Sequence, residues 1–291
     1  MKLTIFSATS YTPQGPNYGD CLLIDTGSSL VVYDCGCEEH AQRVETYMST
    51  NGYSEAIVVL SHNDADHFDG IPYLVEKGLV SKVYTQLFLK HKDEILKLLD
   101  DGRVTDHSVG ERIKKVYSNI ASLSKQVTLV DALTASEIVS GVNIVGPTED
   151  YALDTIAKAL DSNESNRIDA ETVINAASVQ VSVDFNQTQC LLCGDASFEA
   201  IKDKLADYAV IQLPHHGKPD TAEKIFEAKR AKNSTVYLVS DNTGNSNGGS
   251  LKLKTIGKDV RKTTSSDVHY PLNTGSSGTT SSSRRTLGFN Y

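Results

Sequence analysis

The chain of 291 residues is long enough for one large domain or two small ones, and its 39% apolar content is ordinary for a soluble protein. No apolar run approaches the ~20 residues of a membrane helix. The opening Met1-Lys2-Leu3-Thr4-Ile5-Phe6 lacks the apolar stretch of a signal peptide, so a cytoplasmic protein without membrane attachment is expected. The net charge of −9 is uneven: residues 1–200 carry 14 basic and 29 acidic side chains, and residues 201–291 carry 14 basic and 8 acidic. The basic C-terminal third either faces an anionic substrate or presents ordinary surface lysines.

Leu3 to Phe6 reads as a first strand. A Gly- and Pro-rich loop over 11–20 follows, then strands at 21–25 and 30–34 around the turn Thr26-Gly27-Ser28-Ser29. Ala41, Val44, Tyr47 and Met48 form one stripe of a helix over 38–53, which Gly52 stops. Ala56-Ile57-Val58-Val59-Leu60 is a short β-branched run, hence a buried strand. After a polar loop comes a helix to Lys77 with Tyr73 and Leu74 inward, and then a strand over 80–84. This strand–loop–helix–strand rhythm is that of an α/β protein.

Residues 86–127 carry two helical stripes, Ile95-Leu98-Leu99 and Ile113-Val116-Tyr117-Ile120-Leu123, punctuated by Gly102 and Gly110. They read as a helical insertion, placed either over the site or as a docking surface. His91 and His107 within it read as solvated in preference to metal ligands. Residues 128–193 return to strands at 127–130, 142–147, 178–183 and 190–193. A helix over 197–206, a strand over 208–213, a helix over 219–232 and a strand over 235–240 follow. A further helix is expected near 251–262, before Val268-His269-Tyr270. The Ser/Thr/Gly-rich 273–285 reads as a mobile loop, and 286–289 as an edge strand. The whole of 1–291 is taken as a single domain. Five cysteines, an odd number, read as reduced core thiols. In an extended Cys190-Leu191-Leu192-Cys193 the two thiols point to opposite faces, which argues against a zinc knuckle.

Chemistry concentrates at strand ends. Directly after the core strand 56–60 stands Ser61-His62-Asn63-Asp64-Ala65-Asp66-His67, with two imidazoles and two carboxylates. Such a cluster at the end of a buried strand repels itself or is desolvated without a counter-ion, and its donors suit a divalent cation. Two further strand ends add Gly194-Asp195 and Pro214-His215-His216-Gly217-Lys218.

The first segment resembles the His-x-His-x-Asp-His signature of the metallo-β-lactamase superfamily, with Asp64 where most members carry the second His. The Asp form, with Gly19-Asp20-Cys21-Leu22-Leu23-Ile24 and the His-His-Gly motif, resembles the hydrolase domain of competence-type DNA-uptake channels and phosphorylcholine esterases. The resemblance implies a four-layer αββα sandwich with the 86–127 insertion. It implies two divalent ions, Zn²⁺ or Mn²⁺: His62 and Asp64 on one, Asp66, His67 and His216 on the other, Asp195 bridging. Asp34, at a strand end, is expected to brace the metal loop without binding metal. His215 is expected on the substrate side as proton donor, and Asp66 counts as catalytic through its ion. Lys218 is a phosphate contact or a solvated lysine. No His lies between His107 and His215 to serve as the usual third-motif ligand; Asn175 there supplies a weak ligand, orients a water or substrate, or caps a turn.

The activity so implied is hydrolysis of a phosphodiester in DNA or RNA by a hydroxide shared between ions ~3.5–4 Å apart. A small phosphodiester fits as well as nucleic acid, because an acidic chain without Trp offers little for a long nonspecific footprint. The alternatives are a hydrolase of a phosphorylcholine ester, lactone or thioester, and a non-hydrolytic metal-bound binding subunit. A partner protein is left open.

Overall fold

The structure is a computed structural model that describes residues 1–8, 17–99, 105–160, 167–169, 171–231, 234–242 and 249–271. The expected loop 273–285, the edge strand at 286–289, Gly102 and most of the loop over 11–20 lie outside the described residues. In chain order the strands are β1 (Lys2–Ile5), β2 (Cys21–Asp25), β3 (Leu30–Cys35), β4 (Ala56–Val59), β5 (Val80–Thr85), β6 (Thr128–Asp131), β7 (Glu137–Val139) and β8 (Val142–Gly146). A short hairpin, β9 (Arg167–Ile168) and β10 (Glu171–Thr172), precedes β11 (Gln180–Asp184), β12 (Gln189–Leu192), β13 (Val210–Gln212), β14 (Val236–Val239), β15 (Asp259–Lys262) and β16 (Val268–Tyr270).

Two seven-stranded sheets result, ordered β16-β1-β2-β3-β4-β5-β6 and β15-β14-β13-β12-β11-β8-β7. Both are mixed: β3-β4-β5-β6 and β12-β13-β14-β15 run parallel within them, and the remaining pairs are antiparallel. Period-two side-chain alternation sorts each strand between two cores. In β3, Val32 faces the outer helices, while Val31 and Tyr33 face the other sheet. In β12 and the residue after it, Cys190 and Leu192 face the inter-sheet core, whereas Leu191 and Cys193 face the helices of the second sheet. The CxxC pair is therefore split across the sheet, and all five cysteines are free thiols. Three apolar layers between four layers of structure make an αββα sandwich, held by burial worth ~1.5–3 kcal/mol per aliphatic side chain.

Helix Glu38–Asn51 buries Ala41, Val44 and Met48 on the first sheet and stops at Gly52, whose φ of 77° is the left-handed cap that glycine takes without strain. The expected insertion is helical over Lys92–Leu98, Asp106–Val116 and Ser118–Leu123. Gly110 does not punctuate it; it sits inside Asp106–Val116. Phe88, Ile95, Val109, Ile113 and Ile120 share one core with Ala152, Leu153 and Ile156 of helix Glu149–Leu160. That last helix contradicts the all-strand reading of 128–193. Its own stripe, Ala152-Leu153-Ile156-Ala157-Leu160, carries the signal. The insertion is thus built into the outer layer, as a wall and not a free flap. The helix expected near 251–262 is also corrected: this stretch turns at Gly257 (φ 73°) and ends in β15, a parallel edge strand against β14. Among the described residues no helix is long and apolar enough to cross a membrane.

Candidate metal centre

The parallel strands of both sheets bring their carboxyl ends to one edge, where open α/β sheets place their chemistry. Asp34 lies at the end of β3, and the His62–His67 loop follows β4. Asp195 follows β12, and His215 and His216 follow β13. The backbone is bent to aim these groups: Asp34, His215 and His216 have φ of 58°, 50° and 55°, all left-handed and costly for residues with a Cβ. Gly19 and Gly36 let the chain close on the metal loop. An added Cβ would stand 1.8 Å and 2.0 Å, respectively, from the carbonyl oxygen of Asp66.

Asp34 is fully buried and accepts from the Ser61 amide at 2.7 Å, the Ser61 hydroxyl at 2.7 Å and Nδ1 of His67 at 2.8 Å. It thereby leaves Nε2 of His67 to face the site. The Nδ1 of His62 is met by the hydroxyls of Ser61 (2.9 Å) and Ser178 (3.2 Å), which frees its Nε2 likewise. The Nδ1 of His216 contacts Asp20 at 2.9 Å and the carbonyl of Ser240 at 3.1 Å, and its Nε2 lies 3.1 Å from Asp66. Asp66 also accepts from the Asn17 amide at 2.6 Å.

Among the described residues three tight donor groups follow: His62, His67 and Asp195; Asp66, His67 and His216; and Asp20, Asp34 and His67, each with its ligand atoms within 4.8 Å of one another. His67, expected on one ion only, belongs to all three. Asp64 is in none; its side chain stands at the mouth, 43% exposed, 3.7 Å from Nε2 of His62. His216, and not His215, is the member of the His-His pair that joins a donor group. Asp34 braces His67.

The donors fit a cation. Nε2 of His62, Nε2 of His67 and Oδ1 of Asp195 are buried and make no well-aligned hydrogen bond, the last two standing 3.3 Å apart, a costly state for groups that converge on one space. Burial alone would raise the Asp195 carboxyl, but the charges of His67, His215 and His216 overcome it and hold it well below the usual range. The same balance holds Asp66 low, through the His216 hydrogen bond and the charges of His67 and His216. Burial would lower His67 and His216; the carboxylates of Asp195 and Asp34 around the first, and of Asp20 and Asp195 around the second, raise both instead. The site is a well for positive charge, and a mixed nitrogen–oxygen set of this kind suits Zn²⁺ or Mn²⁺.

Asn175 is 4% exposed; its amide nitrogen donates to Oδ2 of Asp195 at 3.1 Å and its oxygen is met by the Thr172 hydroxyl. It is turned towards Asp195 and away from open space. His215 lines the opening at 17% side-chain exposure, with Nδ1 2.5 Å from Glu171 and 3.8 Å from Asp195. Lys218 reaches the same Glu171 at 3.0 Å. Asn63 bonds the insertion reciprocally: its amide donates to the Val116 carbonyl at 2.8 Å, and its own carbonyl accepts from Asn119 at 3.0 Å. His91 is buried on Asp131 (2.8 Å) and Glu149 (3.2 Å), away from the site and not solvated, whereas His107 is exposed. Asp20 and Glu171 carry roles that sequence reasoning missed. Asp20 had its place beside the Leu-Leu-Ile strand as a signal; Glu171 had none.

A family model described as the metallo-β-lactamase superfamily matches residues 14–240. Among solved structures, the metallo-β-lactamase fold protein YhfI from Bacillus subtilis is similar at TM-score 0.51 and 10% identity, over 92% of this chain and 99% of its own. Igni18, a metallo hydrolase from Ignicoccus hospitalis, is similar at TM-score 0.50 and 12% identity, over 93% and 99%. At such identities the likeness is one of fold. No curated protein matches the chain in sequence.

Proposed function

The chain belongs to the metallo-β-lactamase superfamily, whose members are in general metal-dependent hydrolases, and on that premise we propose that it hydrolyses phosphodiesters, in nucleic acid or in a short analogue. The observation that carries this reading is that His215, 3.8 Å from the Asp195 carboxylate, shares the buried Glu171 with Lys218. A proton carrier and a cation stand together beside the donor cluster, where a phosphodiester presents a leaving oxygen and an anionic oxygen. The likeness of His62-x-Asp64-x-Asp66-His67, Gly194-Asp195 and His215-His216-Gly217 to competence-type hydrolase domains favours nucleic acid.

His62, His67, Asp195, Asp66 and His216 would hold the ions, with Asp64 at the mouth. Bound zinc or manganese would supply Lewis acidity and a water acidified towards neutral pH. The protein does the rest. Asp34, Asp20, Ser61 and Ser178 hold each ring nitrogen inward. Lys218 draws the phosphate oxygen. Were a water oxygen to bond to phosphorus, the bond from phosphorus to the leaving oxygen would break. That oxygen takes its proton from Nε2 of His215, which is restored by the proton the water gives up. The chain's net charge of −9 favours a short substrate over a long duplex.

The test is cleavage by metal-stripped protein resupplied with Mn²⁺ or Zn²⁺. Labelled single- and double-stranded DNA, RNA and a chromogenic phosphodiester are offered, with Asp66→Ala as control. Metal-dependent cutting lost in the variant is expected. Turnover of a lactone or thioester with all phosphodiesters left intact would replace this reading with the small-molecule one.

A further inference from the structure

We propose that Glu171 is the positioning residue of the substrate side: one buried carboxylate that sets both the ring of His215 and the ammonium of Lys218. The inference rests on the phosphodiesterase reading for its kinetics but not for its geometry. Glu171 is 1% exposed, and no sequence motif marks it. Its Oε2 lies 2.5 Å from Nδ1 of His215, while Oε1 lies 3.0 Å from Nζ of Lys218 and 3.5 Å from the Thr221 hydroxyl. A buried carboxylate without partners is costly, so these donors and the acceptor stabilise one another. With Nδ1 bound, the atom of His215 left for a substrate is Nε2. The left-handed backbone at His215, φ 50°, fixes where that ring begins, and Glu171 fixes how it is turned. Because one carboxylate binds both groups, their separation is set as well. On the phosphodiesterase reading, Lys218 would meet a phosphate oxygen and His215 the neighbouring ester oxygen.

The hairpin β9-β10 that carries Glu171 has a second anchor that does not touch the site. Asp169 accepts from the Phe198 amide at 3.0 Å and pairs with Lys224. This second anchor separates positioning from mere tethering of the hairpin. Asp169→Ala loosens the hairpin alone, Glu171→Ala removes the carboxylate, and Glu171→Gln keeps an oxygen that accepts from Nδ1 while losing the charge that holds Lys218.

All three variants of the full chain are compared, metal-loaded, by metal content, nitrogen-edited NMR of the histidine rings, and kcat and KM on bis(p-nitrophenyl) phosphate. Glu171→Ala is expected to keep its metal, to lose the fixed Nδ1–H form of His215, and to lower kcat by about 100-fold. Glu171→Gln is expected to restore the His215 signal and most of kcat, with the defect remaining in KM, because the ion pair between Glu171 and Lys218 is lost. Asp169→Ala is expected to resemble the parent protein in kcat and ring signal. If Glu171→Ala and Asp169→Ala are alike in both, or if Glu171→Ala loses its metal, the positioning role is overturned. Should the parent protein leave the diester untouched, the phosphodiesterase reading fails, and the ring spectrum decides alone: an unchanged His215 signal in Glu171→Ala overturns the inference.

Discussion

Asp34→Asn separates what Asp34 does for His67 from what it does for the chain. Asparagine is nearly the same shape and tolerates the left-handed φ of 58° at this position, so the backbone is kept. What changes is the donor count. Asp34 accepts three hydrogen bonds, from the Ser61 amide, the Ser61 hydroxyl and Nδ1 of His67, all at 2.7–2.8 Å. Asparagine can accept on its oxygen alone and must point an NH₂ at one of the former donors. If its oxygen stays on the Ser61 amide, the NH₂ faces Nδ1 of His67, and the ring must present a bare nitrogen there. The proton then sits on Nε2, the atom that faces Asp195 at 3.3 Å. To bind metal the ring must take back the other tautomer against a mismatched partner. The lost charge-assisted bond is worth about 1.5–3 kcal/mol, which is roughly 10- to 150-fold in metal affinity. Titration of metal-stripped protein with Zn²⁺ against a chelating competitor measures it. Thermal unfolding of the stripped forms checks that the fold survives. A variant that binds Zn²⁺ as tightly as the parent would refute the claim that Asp34 sets the His67 tautomer.

Other outcomes follow from the same geometry. Gly36→Ala places a Cβ 2.0 Å from the Asp66 carbonyl oxygen, so the metal loop must move; a cost of about 1–3 kcal/mol is expected in unfolding free energy, together with weaker metal binding, and unchanged metal affinity would show that the loop position is not needed. Removing metal with a chelator should lower Tm, since the partnerless Nε2 atoms of His62 and His67 then face the site alone; Tm should rise again with the logarithm of added Zn²⁺, and a Tm indifferent to metal would count against the site. Burial pushes the His40 imidazole from 6.5 down to about 4, and both its ring nitrogens lack partners. The unfolded chain therefore takes up this proton first, so the stability is fully present above pH 6.5 and is lost as the pH falls towards about 4. The loss is about 2 kcal/mol by pH ~5, and His40→Leu should remove that share of the pH dependence in urea unfolding; parallel losses in parent and variant would refute it.

The fold was legible where burial dictates composition. β2, β3, β4, β12 and β14 are dominated by apolar side chains because both of their faces are covered, and the site groups begin where those runs stop. The polar rest was harder. β15, Asp259-Val260-Arg261-Lys262, is an edge strand with half-exposed side chains, so its residues carry no apolar run. The stretch before it alternates Leu and Lys, which the expected helix does not explain. Helix Glu149–Leu160 carries its stripe in plain view, but it interrupts a region of strands whose β-branched runs dominate the pattern on either side.

The site divides in the same way. His62, Asp66, His67, Asp195 and His216 are close in sequence to strand ends, and local order is enough to find them. Their partners are not local. Asp20 meets His216 across 196 residues, and Glu171 meets His215 across 44. A lone carboxylate gives no sign of which imidazole it will face until two sheets are packed together. Yet these partners decide which nitrogen of each ring is available, and so whether a histidine can accept a cation or hand over a proton. His215 and His216 are neighbours in the chain, both left-handed at φ 50° and 55° but with ψ of 53° and 28°, so their side chains already diverge. The carboxylate each ring meets then fixes how it is turned: Asp20 holds one in a donor group with Asp66 and His67, and Glu171 holds the other at the opening.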